Sequence, residues 1–338
     1  MTPAWETVFL VLCLGVILLG SKIFTNGIEW LGTRLNLAEG VVGSVLAAVG
    51  TALPETMIPL IALLEGSREE RTHIGIGAIL GAPFMLSTLA FCLAGFVVML
   101  DKEKRYFYPL MNVDLKVIKR DLKYFIGLYS LSILAAFFPV RKVKLSIALS
   151  LVCFYIFYVL GTMKVGDGLG KGQTISPLFF AKYNKRPSLA VILFQIFFAL
   201  GLVIFGAHIF VNSVEWLANY LKVPPFVLAL IIAPIATELP EKFNSLIWLD
   251  KGKDTLALGN ITGAMVFQSS VIPAIGMILT PWELTPAAML SAFLALFSGV
   301  GLYVRIRQKG CLTPDMLAAG GLYYILFLIL VLFKARSS

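Results

Sequence analysis

The chain has 338 residues, of which 59% are hydrophobic and only 14% are charged. A soluble fold keeps about a quarter of its residues charged, so this composition excludes a soluble domain and indicates surfaces that face lipid. The formal net charge of +9 would suggest nucleic-acid binding in a soluble protein. Here the basic residues lie mainly in short stretches between apolar runs, as in the loops of a membrane protein, so we expect no nucleic-acid partner.

Apolar runs long enough to span a bilayer recur along the chain. A spanning helix takes about 20 residues, so we predict an all-α integral membrane fold of about ten transmembrane helices. They lie near residues 7–30, 40–64, 74–100, 122–139, 144–162, 188–217, 224–249, 255–279, 284–304 and 314–334. The polar and basic segment 163–187 is interpreted as a cytoplasmic linker between a first five-helix unit, 1–162, and a second, 188–338.

Lysine and arginine are distributed unequally between the predicted loops. Loops that follow odd-numbered helices hold 18 of them, and loops that follow even-numbered helices, with the C-terminal tail, hold eight. The positive-inside rule places the first group in the cytoplasm, so both termini are predicted to be extracytoplasmic. No targeting segment precedes the first helix, which favours a multi-pass protein of a prokaryotic cell (inner) membrane.

An internal repeat is the strongest signal in the sequence. Residues 8–66 align with 194–252 at an offset of 186, and 20 of the 59 positions are identical. The matched motifs are NGIEWL at 26–31 with NSVEWL at 212–217, TALPE at 51–55 with TELPE at 237–241 and, after a four-residue shift, GAILGAPFML at 77–86 with GNITGAMVFQ at 259–268. Five helices per half is an odd number, so the second half must cross the membrane upside down. Such inverted repeats are typical of secondary transporters, whose sites lie near the bilayer midplane.

Two glutamates, Glu55 and Glu241, lie at equivalent positions inside apolar helices, and each follows a proline. A carboxylate at the bilayer centre costs roughly 3 kcal/mol, and each proline frees a backbone carbonyl in the preceding turn. Thr51 and Thr237 lie one helical turn before the acids, on the same face. Ca²⁺ takes about six to eight oxygen ligands, so this pattern predicts a cation site. The alternative is a pair of protonated glutamates that are hydrogen-bonded inside a helix bundle.

The paired segments AVGTALPE, which ends at Glu55, and PIATELPE, which ends at Glu241, resemble the two alpha repeats of the cation/calcium exchanger superfamily. The resemblance covers both repeats. It implies a secondary active antiporter that exchanges Ca²⁺ for Na⁺ or H⁺ by alternating access and uses no cofactor. It also implies that Thr51, Glu55, Thr237 and Glu241 are ion ligands. In that family the first helix of each half slides across the rest to switch access.

The sequence departs from the family pattern at six ligand positions. The family serine beside the glutamate is Ala52 in one half and Glu238 in the other, the third-helix serine is Ala82 and Ala264, and the third-helix Asn or Asp is Leu86 and Gln268. The predicted ligand set is therefore thinned and lopsided. Glu238 and Gln268 join the ion-binding candidates because each adds a side-chain oxygen.

Three further charged or titratable residues are candidate modulators of the site. Lys242 lies four residues after Glu238, which is the favourable order for an ion pair. It either neutralises Glu238, occupies the place of a cation and titrates, or extends along a water-filled vestibule. Lys22 and His208 are equivalent in the repeat and form either part of a proton path or solvated positions near helix ends.

Two other classes of function remain as alternatives. A non-transporting ion sensor or scaffold would explain the thinned ligand set. A membrane-embedded enzyme finds less support, because the chain contains no HExxH and no DDxxD motif and only two histidines. Inorganic cations and the lipid bilayer are the predicted partners, and the sequence leaves the oligomeric state open.

Overall fold

The protein is described by a computed structural model that covers residues 3–34, 53–64, 69–165, 176–183 and 187–337, and these ranges contain no strand. Within these ranges, ten helices run in chain order. In the first half, α1 is Pro3–Arg34, α2 is Leu53–Leu64, α3 is Glu69–Met85 with a π-helical turn Leu86–Ala90 and Phe91–Leu100, α4 is Leu115–Ala135 and α5 is Arg141–Val165. In the second half, α6 is Leu189–Leu221, α7 is Pro225–Asp250, α8 is Asp254–Gln268 with Val271–Leu279, α9 is Pro286–Lys309 and α10 is Pro314–Ala318 with Gly320–Ser337.

Seven helices in the described ranges are long and apolar enough to cross a membrane, namely α1, α3, α5, α6, α8, α9 and α10. The described part of α2 has 12 residues, and α4 and α7 carry charged residues within their apolar stretches. Large apolar side chains, such as Phe154 on α5 and Phe205 on α6, point outward and are exposed. Exposed apolar surface of this kind faces lipid, which confirms the predicted all-α membrane fold.

The start of α4 differs from the prediction. The sequence pattern placed it near residue 122, whereas the helix begins at Leu115. Asp114 caps this end, since its side chain accepts a hydrogen bond of 2.8 Å from the backbone N–H of Lys116. The first two turns of α4 carry four charged residues, and Asp121, which the predicted boundary leaves in a loop, is therefore a helical residue that is 1% exposed.

The α1–α6 pair shows the inverted repeat directly. A Cβ on Gly20 would come within 2.8 Å of Val203, and a Cβ on Gly206 would come within 2.6 Å of Ile17. These two contacts are related by the 186-residue offset of the repeat, because Gly20 corresponds to Gly206 and Ile17 to Val203. Earlier residues of α1 lie beside later residues of α6, so the helices are antiparallel. The two halves therefore have opposite orientations, as the odd number of helices in each half requires.

Contacts between loops sort the described connections into two groups. On one face, Arg105 pairs with Asp254 at 2.8 Å, and the backbone N–H of Met111 donates to Leu312 O at 3.0 Å, which joins the connections that follow α3, α7 and α9. On the other face, Lys144 donates to Pro281 O at 2.5 Å and joins the connections that follow α4 and α8. This grouping agrees with the predicted alternation of odd and even connections. Which face is cytoplasmic stays a prediction from the charges.

Two hydrophobic cores fill the bundle. One surrounds α1, α2 and α6 and includes Ile17 and Phe210; the other surrounds α3, α4, α8, α9 and α10 and includes Phe84, Phe125 and Trp282. Helices α3 and α7 contribute buried residues to both cores. The α3–α7 contact is thus the wall between the α1–α6 pair and the rest of the molecule, and it joins one helix from each half.

Candidate functional site

A small cavity lies where α2, α3 and α7 meet. Its volume is about 10 Å³, which is room for about one water molecule. Its lining comprises Glu55 and Ile58 from α2, Ala78 and Ala82 from α3, and Ala233, Pro234 and Thr237 from α7. Glu55 is 7% exposed and Thr237 is 2% exposed. Two predicted site residues from opposite halves therefore face the same buried space.

Two glycines of α3 allow α7 to approach closely enough to form this cavity. A Cβ on Gly77 would come within 2.5 Å of the backbone oxygen of Phe226, and one on Gly81 would overlap the backbone oxygen of Leu230. Small residues let helix backbones approach in this way inside membranes. The repeated glycine pair of the sequence thus has a packing role in the first half, and that role sets the width of the site.

The second half contributes a hydrogen-bonded acid–amide pair. Gln268 Nε2 at the end of the first segment of α8 donates to Glu238 Oε1 of α7 at 3.0 Å. Both side chains are at most 2% exposed. Gln268 Oε1 has no hydrogen-bond partner among the described residues. Thr237, next to Glu238 in the chain, donates its hydroxyl to Ala233 O at 2.9 Å, which leaves the lone pairs of Oγ1 as the acceptor groups of this side chain.

The third helix of each half is interrupted at equivalent positions. In α3 the interruption is the π-helical turn Leu86–Ala90, and in α8 it is the pair Ser269–Ser270 between two helical segments. Ser87 donates to Pro83 O at 2.8 Å, and Ser270 donates to Val266 O at 2.6 Å, so hydroxyls satisfy carbonyls beside each interruption. Interruptions of this kind are frequent at functional sites, and Gln268 lies directly before the one in α8.

Several predicted residues fall where side chains are not described. Thr51 and Ala52 lie outside the described residues. Glu241 and Lys242 are helical residues of α7, but their side chains lie outside the described part, so the ion pair of Lys242 with Glu238 stays a prediction. Among the described side chains, no three His, Cys, Asp or Glu residues converge on one point. A hard cation would therefore need hydroxyl, amide or backbone oxygens, or the Glu241 carboxylate, beside Glu55 and Glu238.

Lys22 and His208 are exposed residues on α1 and α6. The antiparallel register sets Lys22 opposite the region of residue 201, because Gly20 lies against Val203 and Gly206 against Ile17. His208 is about seven residues further along α6, roughly 10 Å at about 1.5 Å per residue. The structure does not bring these two side chains together, and their role in a proton path stays a prediction.

Sequence reasoning missed a buried carboxylate outside the cavity. Asp121 of α4 accepts hydrogen bonds from Thr262 of α8 at 2.7 Å and from Tyr158 of α5 at 3.1 Å, and Arg120 lies beside it at 2.9 Å. The sequence signal that could have located Asp121 in a helix is the N-terminal boundary of α4. Had Asp114 been read as an N-cap, Asp121 would have been placed in the second turn of an amphipathic helix, on its buried side.

Comparison with known proteins defines the class. The sequence model of the sodium/calcium exchanger protein family matches residues 5–164 and 191–335, one match in each half, and the chain therefore belongs to the sodium/calcium exchanger family. This family consists of membrane transporters for cations, which excludes the alternative of a membrane-embedded enzyme.

Relatives and solved structures cover nearly the whole chain. The chain is 26% identical to the putative antiporter CaxA of Alkalimonas amylolytica, over 95% of this chain and 98% of the relative. It is 23% identical to the sodium/calcium exchanger MaX1 of Methanosarcina acetivorans, over 96% of this chain and 98% of the relative. The fold matches the H⁺/Ca²⁺ exchanger CAX with a TM-score of 0.73 at 15% identity, over 98% of this chain and 88% of that chain. It matches the sodium-calcium exchanger NCX_Mj with a TM-score of 0.57 at 19% identity, over 97% and 99%.

Proposed function

We propose that this protein is a secondary active antiporter that exchanges Ca²⁺ for Na⁺ or H⁺ by alternating access. The observation that carries the proposal is the buried cavity at the meeting point of the two halves, which Glu55 and Thr237 line together. The names of the relatives support it, since they include a putative antiporter and a sodium/calcium exchanger. A solved exchanger of the same fold couples Ca²⁺ to H⁺.

The proposed site comprises Glu55, Glu241, Thr51, Thr237, Glu238 and Gln268, with Glu55 and Glu241 as the principal metal ligands. Carboxylates that share one buried site cannot all remain charged without a cation or a proton nearby. Ca²⁺, Na⁺ and H⁺ would therefore compete for the same group of oxygens. That competition gives exchange rather than leak if the empty, charged site is slow to change its accessibility. Lys242, Lys22 and His208 would modulate the local charge.

Access would change by movement of the α1–α6 pair against the rest. The pair has its own hydrophobic core with α2, and α3 and α7 form the wall between the two cores. We place the protein in a cell membrane with both termini extracytoplasmic, on the charge distribution of its loops. The units of the proposed architecture are 1–162 and 188–338, joined by the cytoplasmic linker 163–187.

Radioactive calcium uptake into proteoliposomes tests the proposal. An outward Na⁺ gradient and an outward H⁺ gradient are imposed in turn on purified wild-type protein, and Glu55→Gln and Glu241→Gln serve as inactive variants. Uptake that follows one gradient and disappears in both variants supports exchange and identifies the coupling ion. Correctly inserted protein that moves no calcium under either gradient rejects calcium exchange.

A non-transporting ion sensor is the second candidate function. It is favoured by Ala82, which lines the cavity at a position where the resembled family carries a serine. Equilibrium dialysis of the purified protein with radioactive calcium separates the two functions. Saturable calcium binding that Glu55→Gln abolishes, together with no flux in proteoliposomes, would establish the sensor.

A further inference from the structure

The starting point is Asp121, a buried carboxylate that does not line the cavity. It lies on α4 and joins three helices, because it accepts hydrogen bonds from Thr262 of α8 at 2.7 Å and from Tyr158 of α5 at 3.1 Å. Arg120 adds two N–H groups at 2.9 and 3.0 Å and also lies over the Tyr158 ring, 5.4 Å from its centre. Buried charges are retained only when they are paired and hydrogen-bonded. These four donor groups together meet that requirement for the Asp121 carboxylate.

The helix that Asp121 holds is also fixed at its first residue. Asp254 begins α8 and is 1% exposed. It pairs with Arg105 at 2.8 Å and accepts the backbone N–H of Asn112 at 3.0 Å, and both partners belong to the connection between α3 and α4. The segment Asp254–Gln268 is thus tied to the first half at its start and again at Thr262.

The segment of α8 that follows the interruption is fixed at its far end. Arg141 donates to Ile278 O at 2.5 Å and to Thr280 O, and Lys144 donates to Pro281 O at 2.5 Å. These cations at the start of α5 lie against the last carbonyls of the helix, where positive charge is favourable. Both segments of α8 are therefore anchored to the first half, and the interruption at Ser269–Ser270 lies between the two anchored segments.

Gln268 is the last residue before that interruption. It lies six residues after Thr262, about 9 Å along one continuous helical segment. An interrupted helix can change its angle at the interruption unless its two segments are held, so the anchors determine where the Gln268 amide lies relative to Glu238. We infer that Asp121 is a positioning residue for the ion site: through Thr262 it fixes the segment of α8 that presents Gln268 to Glu238. This inference rests on the proposed function, because it treats Gln268 as part of the site.

The test measures calcium affinity and maximal rate separately, by equilibrium dialysis and by initial uptake into proteoliposomes. Loss of a residue that orients a metal ligand lowers metal affinity about 10- to 100-fold. For Asp121→Asn we expect about a tenfold rise in both the dissociation constant and the KM for calcium, with a maximal rate within about twofold of wild type. Thr262→Val should give a smaller rise in the same direction, and Thr262→Ser should restore wild-type affinity. Ser291→Ala is the matched control, because it removes a buried hydroxyl of α9 whose hydrogen bond among the described residues goes to Ala288 O of the same helix.

A double-mutant cycle with Gln268→Ala separates positioning from general stabilisation. If Asp121 acts through Gln268, Asp121→Asn in the Gln268→Ala background should change calcium affinity by less than about twofold, because coupled residues are not additive. An equal loss of affinity in both backgrounds, or a lower maximal rate at unchanged KM, overturns the inference. If the wild-type protein binds calcium but does not transport it, the exchange proposal is rejected, and the dialysis measurements on the variants still decide whether Asp121 positions Gln268. Wild-type protein that binds no calcium rejects both.

Discussion

The two halves of this protein share a backbone plan but contribute different side chains to the site. In the first half, α3 presents Ala82 to the cavity, and the position of the next expected ligand is Leu86, which is fully buried. In the second half, the equivalent of Leu86 is Gln268, and its amide bonds Glu238. The helix contacts that hold the scaffold, such as those of Gly20 and Gly206 between α1 and α6, are repeated almost unchanged in the two halves.

This difference shows that packing residues and candidate ion ligands are subject to different physical requirements. Packing between antiparallel helices depends on the shape of the side chains. The contacts of the two halves are related to each other by the pseudo-twofold axis, so both halves need small residues at equivalent places. A cation needs a total number of oxygens and a total charge, and one half can supply more of both than the other. Among the residues of the proposed site whose side chains are described, Thr237, Glu238 and Gln268 lie on α7 and α8, and Glu55 is the charged residue that the first half contributes to the cavity lining.

Removal of the Glu55 charge should have the largest effect. Glu55→Gln keeps the shape of the side chain but removes the negative charge that the first half contributes to the cavity lining. Loss of one partner of a buried charge pair costs about 2–5 kcal/mol, so calcium affinity should fall about 30-fold or more. Equilibrium dialysis measures this loss, and Glu103→Gln, an exposed acid between α3 and α4, is the control. Affinity within about threefold of wild type would mean that the second half binds the ion alone.

The α3–α7 contact should be more sensitive to added volume than its equivalent in the second half. A Cβ on Gly81 would overlap Leu230 O, whereas one on Gly263 meets only Tyr158 Oη, at 3.7 Å, among the described residues. Overpacking costs about 1–3 kcal/mol, so Gly81→Ala should lower the free energy of unfolding by about 2 kcal/mol. Gly263→Ala should lower it by less, because the Cβ would meet its described neighbour at an ordinary contact distance. Thermal unfolding in detergent compares the two, and equal losses would show that the halves pack alike here.

Replacing Gln268 by leucine gives the second half the residue of the first. Gln268→Leu removes the amide that donates to Glu238 Oε1 and leaves that buried oxygen without this donor. Loss of such a partner costs about 1–3 kcal/mol, so the KM for calcium should rise about tenfold. Met265→Leu, a change of similar volume on the same helix, should leave the KM unchanged. A Gln268→Leu protein with wild-type KM would show that neither half needs a polar third-helix residue.

The sequence predicted the scaffold more completely than the site, for a physical reason. Apolar runs and repeated glycines report directly on lipid contact and helix packing, which is why the helices and the inverted repeat could be predicted. The hydrogen bond between Glu238 and Gln268 joins residues 30 positions apart, and it depends on how α8 lies against α7. Charge spacing instead suggested Lys242 as the partner of Glu238, since i,i+4 pairs are visible in sequence and contacts between helices are not.

The buried charged residues that anchor α8 were likewise not predictable from the sequence. Lys144 is the first residue of the predicted fifth helix, where its sequence context does not mark it as buried, yet it is 4% exposed and donates to Pro281 O. The predicted start of the fourth helix near residue 122 leaves Asp121 in a loop among charged neighbours. Composition cannot tell a solvated charge from one that another helix has buried, because the partners come from distant parts of the chain.

The smallest expected effect comes from restoring a ligand to the first half. Ala82 lines the cavity, so Ala82→Ser adds a hydroxyl oxygen beside Glu55 and Thr237. One added hydrogen-bonding oxygen contributes about 0.5–1.5 kcal/mol, so calcium affinity should rise about threefold. Ala264→Ser makes the same change at the equivalent position of α8, which does not line this cavity, and should have no effect. If both serines raised affinity equally, the ion would lie on the axis that relates the halves. The larger number of ligand side chains in the second half would then say nothing about the position of the ion. If only Ala82→Ser acts, the ion lies nearer the first half than those ligands suggest, and Glu55 rather than Glu238 is its main source of charge.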